Sequence, residues 1–261
     1  MSEPTSPAAG LAEAVARLAD AVARLAPCVV LTGAGVSTDS GLPDFRSASG
    51  VWRRYDPMEY ATIDAFRRDP VKVWDFYGRR LRLLERAEPN EAHRALARLE
   101  AAGVVEAVVT QNVDRLHELA GSRNVVEVHG SMRTSSCPRC REVVPFHELG
   151  RLLDRHPAPP CPRCGAILKP DVVMFGEAMP EAETARAFEL ARAARLMLVV
   201  GSSLEVYPAA GLPAETLAAG GALAIVNRGT TQYDAEALVT VDAAAAETLA
   251  ALARELLGPP A

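Results

Sequence analysis

Short, largely apolar runs recur along this chain at residues 28–31, 104–110, 125–128, 196–200 and 223–226. Runs of this length, with little polar alternation, are what a parallel sheet covered on both faces requires, so they predict strands. Before the first run, Leu11, Val15, Leu18, Val22 and Leu25 recur three and four apart, predicting an amphipathic helix over 11–25 that stops before Pro27. Stretches 90–102, 113–120 and 180–194 also read as helices, and the Ala-rich stretch 243–253 predicts a C-terminal one. Strand and helix in alternation predict a doubly wound α/β sheet.

Two segments break the rhythm. Residues 47–89 are rich in Trp, Tyr, Phe and Arg, and they read as helices with no strand between them, closing at the turn Glu88-Pro89-Asn90. Residues 134–170 carry four cysteines and a cluster of prolines, with a short helix near 146–154. Both are expected to be inserts that form a smaller lobe on a main domain built from 11–46, 90–133 and 171–258, with residues 1–10 disordered.

The strand ends carry the polar groups. After the first run comes Gly33-Ala34-Gly35-Val36-Ser37-Thr38, a turn of the type that brings backbone close to a dinucleotide pyrophosphate and makes the sheet Rossmann-like. Thr38 stands where the third glycine of the usual fingerprint falls, and Gly41-Leu42-Pro43-Asp44-Phe45-Arg46 follows too soon for a long helix. The cofactor is therefore a candidate for consumption rather than mere binding. Gln111, Asn112 and Asp114 follow the second run, with helix capping as the rival role for Asn112 and Asp114. His129, followed by Gly130, ends the third and is a candidate general base, because an imidazole titrates near neutrality. Gly201-Ser202-Ser203 and Asn227 end the last two. His93, His147 and His156 read as structural or surface residues, and His117 as a group standing behind the site.

Cys137-Pro-Arg-Cys140 and Cys161-Pro-Arg-Cys164, with twenty residues between the inner cysteines, fit a four-thiolate zinc site. Four thiolates leave no position for water, so the metal is expected to be structural; a redox dithiol is the rival. Cys28 reads as a core residue.

Composition narrows the class. A chain of 261 residues, 49% apolar and 23% charged, suits an ordinary globular enzyme. A net charge of -5 offers no field to gather nucleic acid, and Arg139, Arg141 and Arg151 read as a solvated face. No apolar run reaches the roughly 18–20 residues of a membrane span, and the start, with Glu3, Pro4 and Pro7, lacks signal-peptide features. The expectation is a cytoplasmic monomer that binds neither nucleic acid nor membrane.

The motifs 33–37, 41–46, 110–114 and 128–130, the paired cysteines, and Lys169-Pro-Asp-Val-Val-Met-Phe-Gly-Glu177 occur here in the order found in the sirtuins. From about residue 11 to 257 the sequence resembles that family of NAD-dependent protein lysine deacylases, with Val36 and Val113 where isoleucine is commoner. The resemblance implies that Gly33, Ala34, Gly35 and Ser37 hold the pyrophosphate, that Asp44, Phe45 and Arg46 lie over the nicotinamide ribose, and that Trp52 is a further cofactor-binding residue. It implies that Asn112 and Asp114 line the nicotinamide pocket with Gln111 near the ribose. Gly201, Ser202, Ser203, Asn227, Arg228 and Ala245 would take the adenosine half. In sirtuins the acyl oxygen of a modified lysine attacks the ribose carbon as nicotinamide leaves. The histidine matching His129 then deprotonates a ribose hydroxyl, and O-acyl-ADP-ribose is released. A substrate peptide would add as a strand between Val173, Phe175, Gly176 and Glu177 on one side and Leu204 and Val206 on the other. Tyr77 and Arg80 resemble the pair with which desuccinylase-type sirtuins bind an acyl carboxylate, with Ala61 leaving room. The partners implied are acylated lysines of other proteins; the cofactors are NAD and one structural zinc. Mono-ADP-ribosyl transfer, a dehydrogenase and a non-enzymatic zinc-ribbon binding module are the alternatives.

Overall fold

The computed structural model describes residues 7–259. Its main sheet holds strands β1 (Cys28–Thr32), β2 (Val105–Thr110), β3 (Val125–Glu127), β7 (Leu196–Val200), β8 (Ala222–Val226) and β9 (Val239–Val241). They run parallel in the order β3-β2-β1-β7-β8-β9, so the chain order reverses between β1 and β7. Alternate strand residues point to opposite faces. Val30, Val108, Leu198 and Val226 meet helices α1 (Pro7–Leu25), α5 (Glu91–Ala101) and α10 (Ala245–Leu257) on one side. Leu31, Val109, Val199 and Ile225 meet α8 (Glu181–Ala193) and α9 (Leu212–Ala218) on the other. Burial on both faces is why the strands read as unbroken apolar runs.

Register places the polar ends. Thr32 pairs with Thr110 and Val200, and Val200 with Val226, so Gly33, Gln111, Gly201 and Asn227 all leave the sheet at one level. Open α/β sheets bind ligands at this carboxyl edge, where the order reverses.

The smaller lobe has a core of its own. After the short α2 (Pro57–Tyr60), helices α3 (Ile63–Arg68) and α4 (Pro70–Leu84) supply Phe66, Trp74, Phe76 and Leu81, which pack on Met132, Leu149, Leu168 and Met174. The second group comes from β4 (Gly130–Ser136), α7 (Phe146–Leu153) and the residues flanking β6 (Lys169–Val172), a strand that joins β4 and β5 (Val143–Pro145) in the three-stranded sheet of the cysteine ribbon. Fully buried Trp74 ties the halves together, its indole N–H donating to the Leu168 carbonyl at 2.7 Å.

Several boundaries differ from the sequence reading. The first helix begins at Pro7, so residues 7–10 of the segment expected to be disordered are helical, and residues 1–6 lie outside the described residues. The helix expected over 113–120 shrinks to α6 (Leu116–Leu119), because Arg115 takes a left-handed conformation (φ 67°) that no α-helix continues. The turn after β1 becomes a seven-residue 3-10 helix, Ala34–Ser40, ended by left-handed Gly41. Short β9, the three ribbon strands and α9 gave no periodic signal long enough to read.

Candidate functional site

A cleft of about 820 Å³ opens along the carboxyl edge between the two lobes. Its floor is set by a close crossing of two loops. Gly33 N–H donates to Val200 O at 3.0 Å and Gly35 N–H to Gly201 O at 2.8 Å. A Cβ on Gly35 would stand 2.8 Å from Gly201 Cα, and one on Gly201, whose φ is +60°, 2.4 Å from Val36 N. These glycines are demanded by one loop packing on another, beyond any need to admit a ligand.

Behind that crossing lies a hydrogen-bonded polar network. Ser37 Oγ donates to Asp114 Oδ2 at 2.7 Å and accepts from the Asn112 amide at 3.1 Å; the same amide donates to Gly33 O at 3.2 Å. Asp114 Oδ1 also accepts the Leu116 N–H at 3.0 Å at the start of α6, whose N-cap position is Arg115, so Asp114 is held by the helix without being its cap. Burial raises the Asp114 pKa, against the pull of the Leu116 N–H, Ser37, Arg80 and Asn112.

Two histidines support this network from inside the domain. His93 Nδ1 accepts the Asn90 N–H at 3.2 Å, closing a capping box at the start of α5, which leaves its Nε2–H toward Ser37 Oγ at 3.4 Å. His117 Nε2 meets Thr32 Oγ1 at 2.9 Å, and that hydroxyl donates to Thr110 Oγ1 at 2.8 Å. The rings stand 4.8 Å apart edge to face, and burial lowers the pKa of His93 to about 4 and of His117 to about 3. The Asn90-x-x-His93 spacing of a capping box, which the sequence reading passed over, could have located the first; nothing in the sequence ties His117 to Thr32.

His129 enters from the third strand end. Its Nδ1 lies 3.1 Å from the Gln111 carbonyl, which can only accept, so the proton sits on Nδ1 and Nε2 is left as a free base. Burial lowers its pKa, partly offset by that bond. Gln111 in turn donates to Ser202 Oγ at 2.9 Å. Directly after His129, β4 leads to Cys137, while β6 returns the chain from Cys164 to Val173, whose N–H donates to His129 O at 2.8 Å. The histidine and the 173–177 segment are thus delivered by two adjacent strands of the ribbon. Gly130 (φ +72°) lies where they cross, and a Cβ there would sit 2.3 Å from Asp171 O.

The four cysteine Sγ atoms lie within 4.8 Å of one another, with 3.4 Å between Cys137 and Cys164 and 3.5 Å between Cys140 and Cys161. These spacings are far too long for disulfides and close to the ~3.8 Å edge of a tetrahedron of thiolates about a zinc ion. Each knuckle ends in a left-handed residue after its second cysteine, Arg141 (φ 66°) and Gly165 (φ 74°). The donor set fits a structural zinc.

Toward solvent, Phe45 lies on Trp52 with ring centres 5.0 Å apart, and the Arg80 guanidinium stacks over Phe45 at 4.5 Å. Arg46 pairs with Glu205 at 2.8 Å, linking the Asp44–Arg46 loop to the segment after Ser203. Of the residues singled out from the sequence, those of the glycine turn, this loop, the strand ends and the Ala61, Tyr77 and Arg80 group all line the cleft, as do Val173, Phe175, Gly176, Glu177, Val206, Asn227, Arg228 and Ala245. Leu204 does not: its side chain is buried in the core over α8 and α9, so only its backbone stands near the cleft. Phe175 has both backbone groups already paired, with Ala61 and Ile63. Among the described residues no helix is long and apolar enough to cross a membrane.

A doubly wound sheet with a cleft at its reversal point, a free imidazole base and a four-cysteine ribbon define a nucleotide-binding α/β protein with a metal-stapled lobe. A sequence profile described as the Sir2 family matches residues 33–208, and the chain belongs to that family. It is 48% identical over 231 residues to a protein of Caldivirga maquilingensis named NAD-dependent protein deacetylase, covering 88% of this chain and 89% of that one. It is also 48% identical over 202 residues to the NAD-dependent protein deacylase of Pyrococcus furiosus, covering 76% and 80%. Among solved structures, a Sir2 histidine variant with deacetylated p53 peptide and 3′-O-acetyl ADP ribose superposes with a TM-score of 0.89 at 38% identity, covering 94% of this chain and 98% of the other. A Sir2 complex with p53 peptide and NAD+ gives 0.84 at 38% identity, covering 91% and 96%.

Proposed function

We propose that this chain is an NAD-dependent protein lysine deacylase that removes acetyl groups and also carboxyl-bearing acyl groups such as succinyl and malonyl. The observation that carries the deacylase reading is His129, fixed by Gln111 O in the tautomer whose Nε2 is a free base, in a cleft of about 820 Å³ that the glycine turn and the strand ends also line. The names of the relatives and the peptide complexes among the similar structures support acylated lysines as substrates.

Bound NAD supplies a ribose carbon made electrophilic as nicotinamide departs. Asn112 and Asp114, held by Ser37, orient the nicotinamide, and Gln111 faces the ribose. The Gly33–Ser37 turn carries the pyrophosphate, with Ser202, Ser203, Asn227, Arg228 and Ala245 along the adenosine half. Phe45 and Trp52 exclude water from the reacting carbon, with Asp44 and Arg46 completing that loop. His129 Nε2 takes a proton from a ribose hydroxyl, so that this oxygen can attack the acyl carbon. Positioning and electrostatics do most of the work, and no strong acid is needed.

The carboxyl-acyl reading rests on Arg80. Arg80 and Tyr77 line the cleft together; the Arg80 guanidinium lies over the Phe45 ring at 4.5 Å, and among the described residues it makes no ion pair within 4 Å. Burial lowers its pKa and raises that of Tyr77. A largely desolvated guanidinium that is held by an aromatic face and makes no ion pair favours an anionic ligand, and it binds a carboxylate through two parallel bonds.

The test is mass spectrometry of matched acetyl-lysine and succinyl-lysine peptides, with and without NAD, on the wild type and Arg80→Met. The expected result is NAD-dependent loss of both groups by the wild type, with succinyl removal alone falling about tenfold or more in the variant. Loss of acetyl alone would refute the acyl-pocket role, and NAD consumption without acyl loss would put ADP-ribosyl transfer in its place.

A further inference from the structure

The segment Ser203–Val206 borders the cleft, and its conformation is not one the chain would adopt unaided. Leu204 has φ +55°, the left-handed region that a branched side chain avoids, and its side chain is buried. Such a residue persists only where its surroundings fix it. Two contacts hold it here. Ser202 Oγ accepts the Leu204 N–H at 3.2 Å, and the Gln232 amide donates to the Leu204 carbonyl at 2.9 Å. The Gln232 amide also meets the Tyr207 hydroxyl, at 3.1 Å from Nε2 and 3.3 Å from Oε1, so one side chain bridges Leu204 within the segment and Tyr207 just beyond it.

Gln232 is itself exposed, and the loop that carries it is braced. It lies on the loop between β8 and β9, where Thr231 bonds Asp234 through both its N–H (3.1 Å) and its hydroxyl (2.7 Å), and Gly229 N–H bonds Asp242 at 3.1 Å. The same loop begins with Asn227 and Arg228, which line the far end of the cleft. With both Leu204 backbone groups and the Val206 carbonyl taken inside the protein, the groups left to pair with an incoming strand are those of Ser203 and Glu205 and the Val206 N–H.

We propose that Gln232 is a positioning residue for substrate, holding the 203–206 edge in the one conformation that accepts a peptide strand and tying that edge to the loop at the far end of the cleft. This rests on the deacylase reading above. Gln232 touches neither the acyl group nor the reacting atoms, so its effect falls on recognition of the residues flanking the modified lysine. A substrate with no flanking residues gains nothing from an ordered edge.

The experiment compares an acetyl-lysine peptide with free Nε-acetyl-lysine on the wild type, Gln232→Met and Gln232→Lys, with melting temperature as a check on folding. Gln232→Met keeps the length and removes the donor; it is expected to raise KM for the peptide about three- to fivefold, the size of one neutral hydrogen bond. Both kcat and the KM for free acetyl-lysine stay unchanged, and Gln232→Lys, which restores a donor toward Leu204 O, recovers most of the loss. An unchanged peptide KM would overturn the proposal. So would an equal rise for peptide and free acetyl-lysine, or a fall in kcat with the melting temperature, since those mark a general loss of structure. Absence of NAD-dependent acyl loss by the wild type would overturn the deacylase reading itself, and this inference with it.

Discussion

The buried histidine pair makes this fold sensitive to acid in a way that can be worked out. His93 and His117 are both almost wholly inaccessible, with pKa values near 4 and 3, against about 6.5 for an unfolded chain. A histidine whose folded pKa is depressed stabilises the fold fully only above its unfolded pKa; as the pH falls below about 6.5 the unfolded state takes up protons that the folded state refuses. Between pH 7.5 and 5.0 each ring costs about 2 kcal/mol of stability, and the pair about 4 kcal/mol. This holds as long as both folded values lie below 5, and it is a large share of the roughly 5–15 kcal/mol a domain possesses. The assay is urea unfolding of the zinc-loaded protein by circular dichroism at several pH values, for the wild type, His117→Gln and the double variant with His93→Gln. The wild type should lose about 4 kcal/mol more than the double variant across that range, with the single variant midway. Parallel curves, or an imidazole of either histidine titrating near 6.5 by NMR, would refute the reasoning.

Three other outcomes follow from the geometry. His129→Ala should abolish deacylation while leaving the melting temperature within a degree or two, and the acid limb of wild-type kcat/KM should lie below the ordinary histidine range, because burial keeps the imidazole neutral to lower pH; a limb above 6.5 would assign the base elsewhere. Gly201→Ala adds a methyl 2.4 Å from Val36 N at a left-handed position, so it should cost about 2 kcal/mol or more and raise KM for NAD; an unchanged melting curve would contradict the close crossing of the loops. Cys161→Ser should release zinc to a chromogenic chelator and loosen the Met132–Leu168 core, lowering activity through the strands that carry His129 and Val173; full heat stability without metal would rule out a structural role.

What the sequence determined on its own was whatever depends on local pattern. Both faces of each central strand are buried, so Val29–Leu31 and Met197–Val199 are apolar throughout and legible as strands. Thiolate spacing is set by the knuckle and the metal, so the four cysteines announced themselves. Ordered motifs carried the family. Tertiary structure alone decided the rest, because it concerns contacts between segments far apart in the chain. That Gly35 is required by Gly201, that His117 supports Thr32, that Trp74 closes the lobe on Leu168, and that Gln232 holds Leu204 all depend on strand order and register, which bring together groups separated by 28 to 166 residues. Leu204 marks the boundary: its motif points to the cleft, but a left-handed backbone turns its side chain into the core, and no periodicity along the chain records a single inverted φ.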